Sequence, residues 1–89
     1  ITDMAKVTIR YWASAKDAAG MAEESVDAVT LRDALDVVIV GRQPDTRLAN
    51  VIARSSFLVN ADQVGKTAKE SIVLGEGAVI EVLPPFAGG

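Results

Sequence analysis

A chain of 89 residues, 49% hydrophobic and 24% charged, carries enough apolar material for one modest core and has no room for a second domain. A net charge of −3 and a pI near 4.7 argue against nucleic acid as a partner, and a slightly acidic body suits a basic groove on another protein. With no cysteine and no histidine, disulfides, thiolate or imidazole metal sites, cysteine nucleophiles and histidine-based triads are all excluded. Glu23-Glu24 is too small a cluster for an oxygen-ligated cation and is read as a solvated strand edge, so no metal site is expected. No apolar run reaches the length of a membrane span and the N-terminus lacks a signal-peptide pattern, which places the expected location in the cytoplasm, away from membranes.

Residues 1–5 precede the first periodic segment and are read as a loose arm or a cloning remainder, with the domain proper over 6–83. From Lys6 to Ala13, Val7, Ile9 and Tyr11 alternate with Thr8, Arg10 and Trp12, the signature of a half-buried strand. Ser14 to Ala22 reads as a loop holding a short helical turn, and Glu23 to Val29 as a second strand. Thr30 can cap a helix and Asp33 can complete a capping box, after which Leu31, Ala34, Leu35 and Val38 form one apolar stripe that Gly41 can close. The run Val37 to Val40 is rich in β-branched residues and favours a strand, yet the cap and the stripe agree on a helix. Gln43-Pro44-Asp45 breaks the chain before a short second helix carrying Leu48, Val51 and Ile52. Ser56 to Asn60 is a short strand ended by a turn at Asn60-Ala-Asp62. Lys66 to Glu70 reads as loop, and Ile72 to Leu74 as either a brief strand or a plug in the core. Gly75-Glu-Gly77 is a turn, and Ala78 to Leu83 an apolar final strand. This order predicts an α+β fold of the β-grasp kind, a mixed sheet wrapped around one main helix plus a short second helix.

After Leu83 the chemistry changes. Pro84 and Pro85 have no amide hydrogen for a ladder and fix φ, so they drive the chain off the sheet in a stiff extended form. Residues 84–89 are therefore expected to be a flexible tail that reaches at most about 20 Å. Gly88 and Gly89 let the main chain pass through a channel too narrow for any side chain and leave the Gly89 carboxylate as the expected functional group at the tip. If the first and last strands lie side by side in parallel, Val7, Ile9, Tyr11, Ile80 and Val82 face the helix. Arg10, Trp12, Glu81 and Leu83 then share the opposite face, where Trp12 and Leu83 would make an apolar patch at the root of the tail.

The ending Leu-Pro-Pro-Phe-Ala-Gly-Gly, the Gly-Glu-Gly turn before its strand, the opening Val-Thr-Ile-Arg-Tyr-Trp-Ala and Ala18-Ala-Gly20 resemble the small subunit of molybdopterin synthase, the MoaD-like branch of the ubiquitin-like sulfur carriers. The resemblance is strongest at the two ends and thin from Val37 to Glu70. It implies that an ATP-dependent adenylyltransferase of the ubiquitin-activating type adenylates the Gly89 carboxylate, that a sulfur donor converts it to a thiocarboxylate, and that the tail then enters a large catalytic subunit within a heterotetramer. There the sulfur would pass to cyclic pyranopterin monophosphate in molybdenum cofactor biosynthesis. ATP and Mg²⁺ would be used by the activating partner, and none is expected to bind this chain. The resemblance also gives Gly88 and Gly89 the reacting role, Phe86 a contact in the partner's channel, Trp12 and Leu83 the docking face, and Arg10 and Glu81 the rim. Two alternatives stay open at this point: a sister carrier for thiamine or cysteine synthesis or for protein tagging, and a plain β-grasp interaction module without tail chemistry.

Overall fold

The computed structural model describes residues 4–85, and the alternation of the first segment is realised there as β1 (Ala5–Tyr11). It is followed by α1 (Ser14–Ala19), β2 (Glu23–Ala28), α2 (Leu31–Val40), α3 (Arg47–Arg54), β3 (Ser56–Val59), β4 (Asp62–Gln63), a 3₁₀ turn at Lys69–Ser71 and β5 (Val79–Leu83). The five strands form one mixed sheet in the order β2-β1-β5-β3-β4. β1 and β5 run parallel, as the sequence predicts, while β2 pairs antiparallel with β1 and β3 antiparallel with β5. Val7, Ile9, Tyr11, Ile80 and Val82 all point into the core beneath the helices and are almost fully buried. This is the ubiquitin-like β-grasp arrangement. Among the described residues no helix is long and apolar enough to cross a membrane.

α2 forms because its start is doubly satisfied. Thr30 Oγ1 accepts the Asp33 amide at 3.2 Å and Asp33 Oδ2 accepts the Thr30 amide at 3.2 Å, a complete capping box despite the short acid. Leu31, Ala34, Leu35 and Val38 then bury one stripe against the sheet. Helix wins over the β-branched preference of Val37 to Val40 because propensity costs only tenths of a kcal/mol per residue, whereas each buried aliphatic contributes about 1.5–3 kcal/mol. Gly41 closes the helix as expected, in a right-handed conformation: its φ is −64°, and its amide bonds the Val37 carbonyl at 3.0 Å. Replacing Thr30 with alanine is expected to lower the unfolding free energy by about 1 kcal/mol at an unchanged m-value, read by urea denaturation.

Two short elements extend what their sequence patterns showed. The segment read as a loop with a helical turn becomes α1, closed by Gly20 at φ 79° with its amide on the Lys16 carbonyl. The turn at Asn60-Ala61, both residues at positive φ, is a two-residue hairpin connection into β4, a strand too short to show periodicity. Asn60 also fastens the sheet: its amide donates to the Val79 carbonyl at 2.8 Å and its Oδ1 accepts the Val79 amide at 2.9 Å. Of the two readings of Ile72 to Leu74, the plug is the better description. Val73 makes a single bridge to Thr30 and is exposed, while Leu74 is buried and its amide bonds the Val29 carbonyl at 2.9 Å.

Glu24 is more than a solvated edge. Its Oε2 accepts the Tyr11 hydroxyl at 2.5 Å and Arg42 Nη2 at 2.7 Å, and Arg42 also donates to the carbonyls of Ala19 and Val38, both at 3.0 Å. One guanidinium thus satisfies carbonyls near the ends of α1 and α2 while pairing with β2. Burial, and then the Glu24 carboxylate, push the Tyr11 phenol above its ordinary range, so it stays protonated and donates.

Candidate functional site

The outer face of the sheet, away from α2, collects the side chains expected to dock a partner. In the β1–β5 register Arg10 stands beside Glu81, and in the β3–β5 register Ser56 stands beside Leu83. Trp12 lies just past β1, yet its backbone remains in the ladder through an amide bond to the Val82 carbonyl at 3.3 Å. Its indole Nε1 donates to Glu81 Oε1 at 3.1 Å, and the Arg10 guanidinium sits 5.5 Å from its ring centroid. Arg10 also reaches Glu23 at 3.7 Å. The tryptophan is therefore held by a cation above its ring and an acceptor at its edge while 44% of its surface stays open to solvent. Arg10 and Glu81, expected as rim charges, here fix the orientation of the ring between them.

Below Trp12 a groove of about 640 Å³ opens at the root of the tail. Leu83, Pro84 and Pro85 supply apolar lining, and Arg54, Ser56 and Gln63 supply polar groups. Leu83 and Pro84 are half-buried in it and Pro85 is exposed. Ala13, also on the groove, has φ 50° and ψ −126°, a conformation that costs a residue with a Cβ roughly 1–3 kcal/mol. It turns the chain abruptly from the ladder into α1 directly after the tryptophan. Phe86, Gly88 and Gly89 lie outside the described residues. Arg54, Ser56 and Gln63 were not singled out by sequence reasoning. Their place beside Leu83 depends on the β3–β5 register, which no local pattern reveals.

A model of the ThiS family matches residues 9–89, nearly the whole chain. The chain belongs to the ThiS family. No curated protein matches it. Among solved structures, this ThiS-family chain is similar to the small archaeal modifier protein 1 of Methanosarcina acetivorans, at 22% identity and a TM-score of 0.81, covering 97% of this chain and 98% of that one. It is also similar to a molybdopterin-converting factor subunit 1 of Pyrococcus furiosus, at 21% identity and a TM-score of 0.72, covering 91% and 98% respectively. A third likeness is to a chain in the complex of subunits 1 and 2 of the molybdopterin-converting factor from Helicobacter pylori, at 20% identity and a TM-score of 0.67, covering 94% and 99%. These likenesses show that proteins of different names share this chain's fold.

Proposed function

We propose that this ThiS-family chain is a sulfur carrier, the small subunit of a molybdopterin synthase. Support comes chiefly from the groove beneath Trp12, where Leu83, Pro84 and Pro85 line an open, largely apolar surface just before the Phe-Ala-Gly-Gly end of the sequence. The Pro-Pro-Phe-Ala-Gly-Gly ending and the likeness to a subunit of the Helicobacter pylori two-subunit complex support the molybdopterin assignment in particular. A carboxylate resists substitution until its oxygen becomes a good leaving group. Adenylation of Gly89 by an ATP- and Mg²⁺-using partner expels pyrophosphate and forms the acyl-adenylate. A sulfur donor then displaces AMP, leaving a thiocarboxylate whose sulfur is the nucleophile for cyclic pyranopterin monophosphate in the large subunit. This chain supplies a substrate terminus and a docking face, and the catalytic groups belong to its partners.

The test is to incubate the chain with ATP, Mg²⁺, its activating enzyme and a sulfur donor and to weigh it intact. One oxygen-to-sulfur replacement at the C-terminus is expected, and an unchanged mass defeats the carrier reading. Co-purification with a molybdopterin-synthase large subunit, against a thiazole or cysteine synthase, separates the molybdenum pathway from its sisters. A second reading, attachment to other proteins through an isopeptide bond, is favoured by the likeness to the archaeal modifier protein. It predicts conjugates of higher mass that contain the Gly89 carboxylate joined to lysine. In the proposed complex, Trp12→Ala is expected to weaken large-subunit binding about tenfold or more, measured calorimetrically, with the urea midpoint nearly unchanged because the ring is only partly buried.

A further inference from the structure

On the opposite side of the sheet from β4, β2 is paired only with β1 among the described residues. The Tyr11 amide bonds the Ala22 carbonyl at 2.8 Å, and in an antiparallel ladder hydrogen-bonded pairs alternate. Ile9–Glu24, Val7–Val26 and Ala5–Ala28 are then the bonded pairs, and Glu23, Ser25 and Asp27 turn their amide and carbonyl groups outward along a free edge. Beside this edge lies a groove of about 560 Å³ whose apolar lining includes Met21, Val26, Val37 and Val38. Val37 leaves 47% of its surface open on that flank of α2, and Met21 leaves 44%. Unpaired backbone groups next to an apolar trough form a template for strand addition.

The charges select the occupant. Glu23 and Asp27 are exposed on the outer face of the edge, separated by Ser25. A second copy pairing antiparallel about Ser25 would set Glu23 opposite the second copy's Asp27 twice over, and like charges directly opposite destabilise a ladder. We infer that the β2 edge and the Met21–Val37 groove accept an extended peptide of a different protein, with Lys or Arg facing Glu23 and Asp27 and β-branched or aliphatic residues at the alternating positions facing the groove. Such a segment adds a sixth strand, satisfies the outward amides and carbonyls, and covers the exposed Val37 of α2. This surface is on the far side of β1 from β5 and the tail root, so one body could hold such a peptide while its tail is engaged elsewhere.

The experiment titrates the isotopically labelled full chain with a capped peptide of sequence Lys-Val-Thr-Ile-Lys and follows amide and methyl resonances. Saturable shifts are expected at residues 21–28 and 37–42. Exchanging both peptide lysines for glutamate is expected to lower affinity about tenfold. In the protein, Val37→Asp should produce a similar loss by placing a charge in the trough. Ser25→Pro should also weaken binding, since it removes one outward amide that β1 does not use. If Ser25→Pro disturbs the sheet, the peptide exchange on the unaltered protein still decides. Absence of saturable shifts, shifts centred instead on Trp12 and Leu83, or equal affinity for the lysine and glutamate peptides would each overturn the inference.

Discussion

A chain lacking Gly88 and Gly89 is expected to fold and melt as the full chain does, yet to undergo no oxygen-to-sulfur replacement when incubated with ATP, its activating enzyme and a sulfur donor. Glycine has no side chain to bury, and among the described residues the last members of the core belong to β5. Their loss shortens the tail by about 7 Å, at roughly 3.3–3.6 Å per residue, and moves the carboxylate onto Ala87, whose methyl group widens the segment that threads the partner's channel in the proposed complex. A displacement of even 1 Å can cost a hundredfold in rate, so a 7 Å retreat is expected to reduce turnover below detection. Intact mass reads the chemistry and circular dichroism reads the fold. A truncated chain that still acquires sulfur at a rate comparable to the full one would place the reacting group elsewhere.

The second large effect belongs to the body. Leu35 is fully buried in the middle of the α2 stripe and faces a sheet whose central side chains, Ile9 and Ile80, are equally inaccessible. Leu35→Ala removes three carbons from a close-packed site and is expected to cost about 2–5 kcal/mol. Against a total stability of roughly 4–13 kcal/mol for a domain of this length, that is enough to populate the unfolded state near physiological temperature. Urea denaturation should show a lower midpoint at an unchanged m-value. Val40→Ala, one turn further on and largely exposed, is expected to shift stability by less than about 0.5 kcal/mol and serves as the control.

The fold was legible where the pattern was long. Seven residues of alternation specified β1, the Thr30 box and its stripe specified α2, and Gly75-Glu-Gly77 before an apolar run announced β5, with Gly77 at φ 81° as a turn glycine. Short elements were not legible in the same way. β4 has two residues, too few to show alternation, and α1 has six, so it showed only as a helical turn within a loop. Gly41 was legible as the stop of α2, but the Arg42 side chain that bonds the Val38 carbonyl just beyond it was not. At the candidate site, the grouping of Trp12, Leu83, Arg10 and Glu81 followed once a parallel β1–β5 pair was assumed. The bond from Trp12 to Glu81 and the contributions of Arg54 and Gln63 did not, because they depend on register and rotamer and leave no trace in spacing. The Tyr11–Glu24–Arg42 group was missed for the same reason, since its members are far apart in sequence.

β5 lies inside the sheet, with β1 hydrogen-bonded along one side and β3 along the other. Tension applied through Pro84 is therefore shared by two ladders loaded lengthwise, whose bonds must yield together rather than unzip singly. A protein rooted in this manner can have its end gripped, strained and let go through many rounds while its interior keeps its packing.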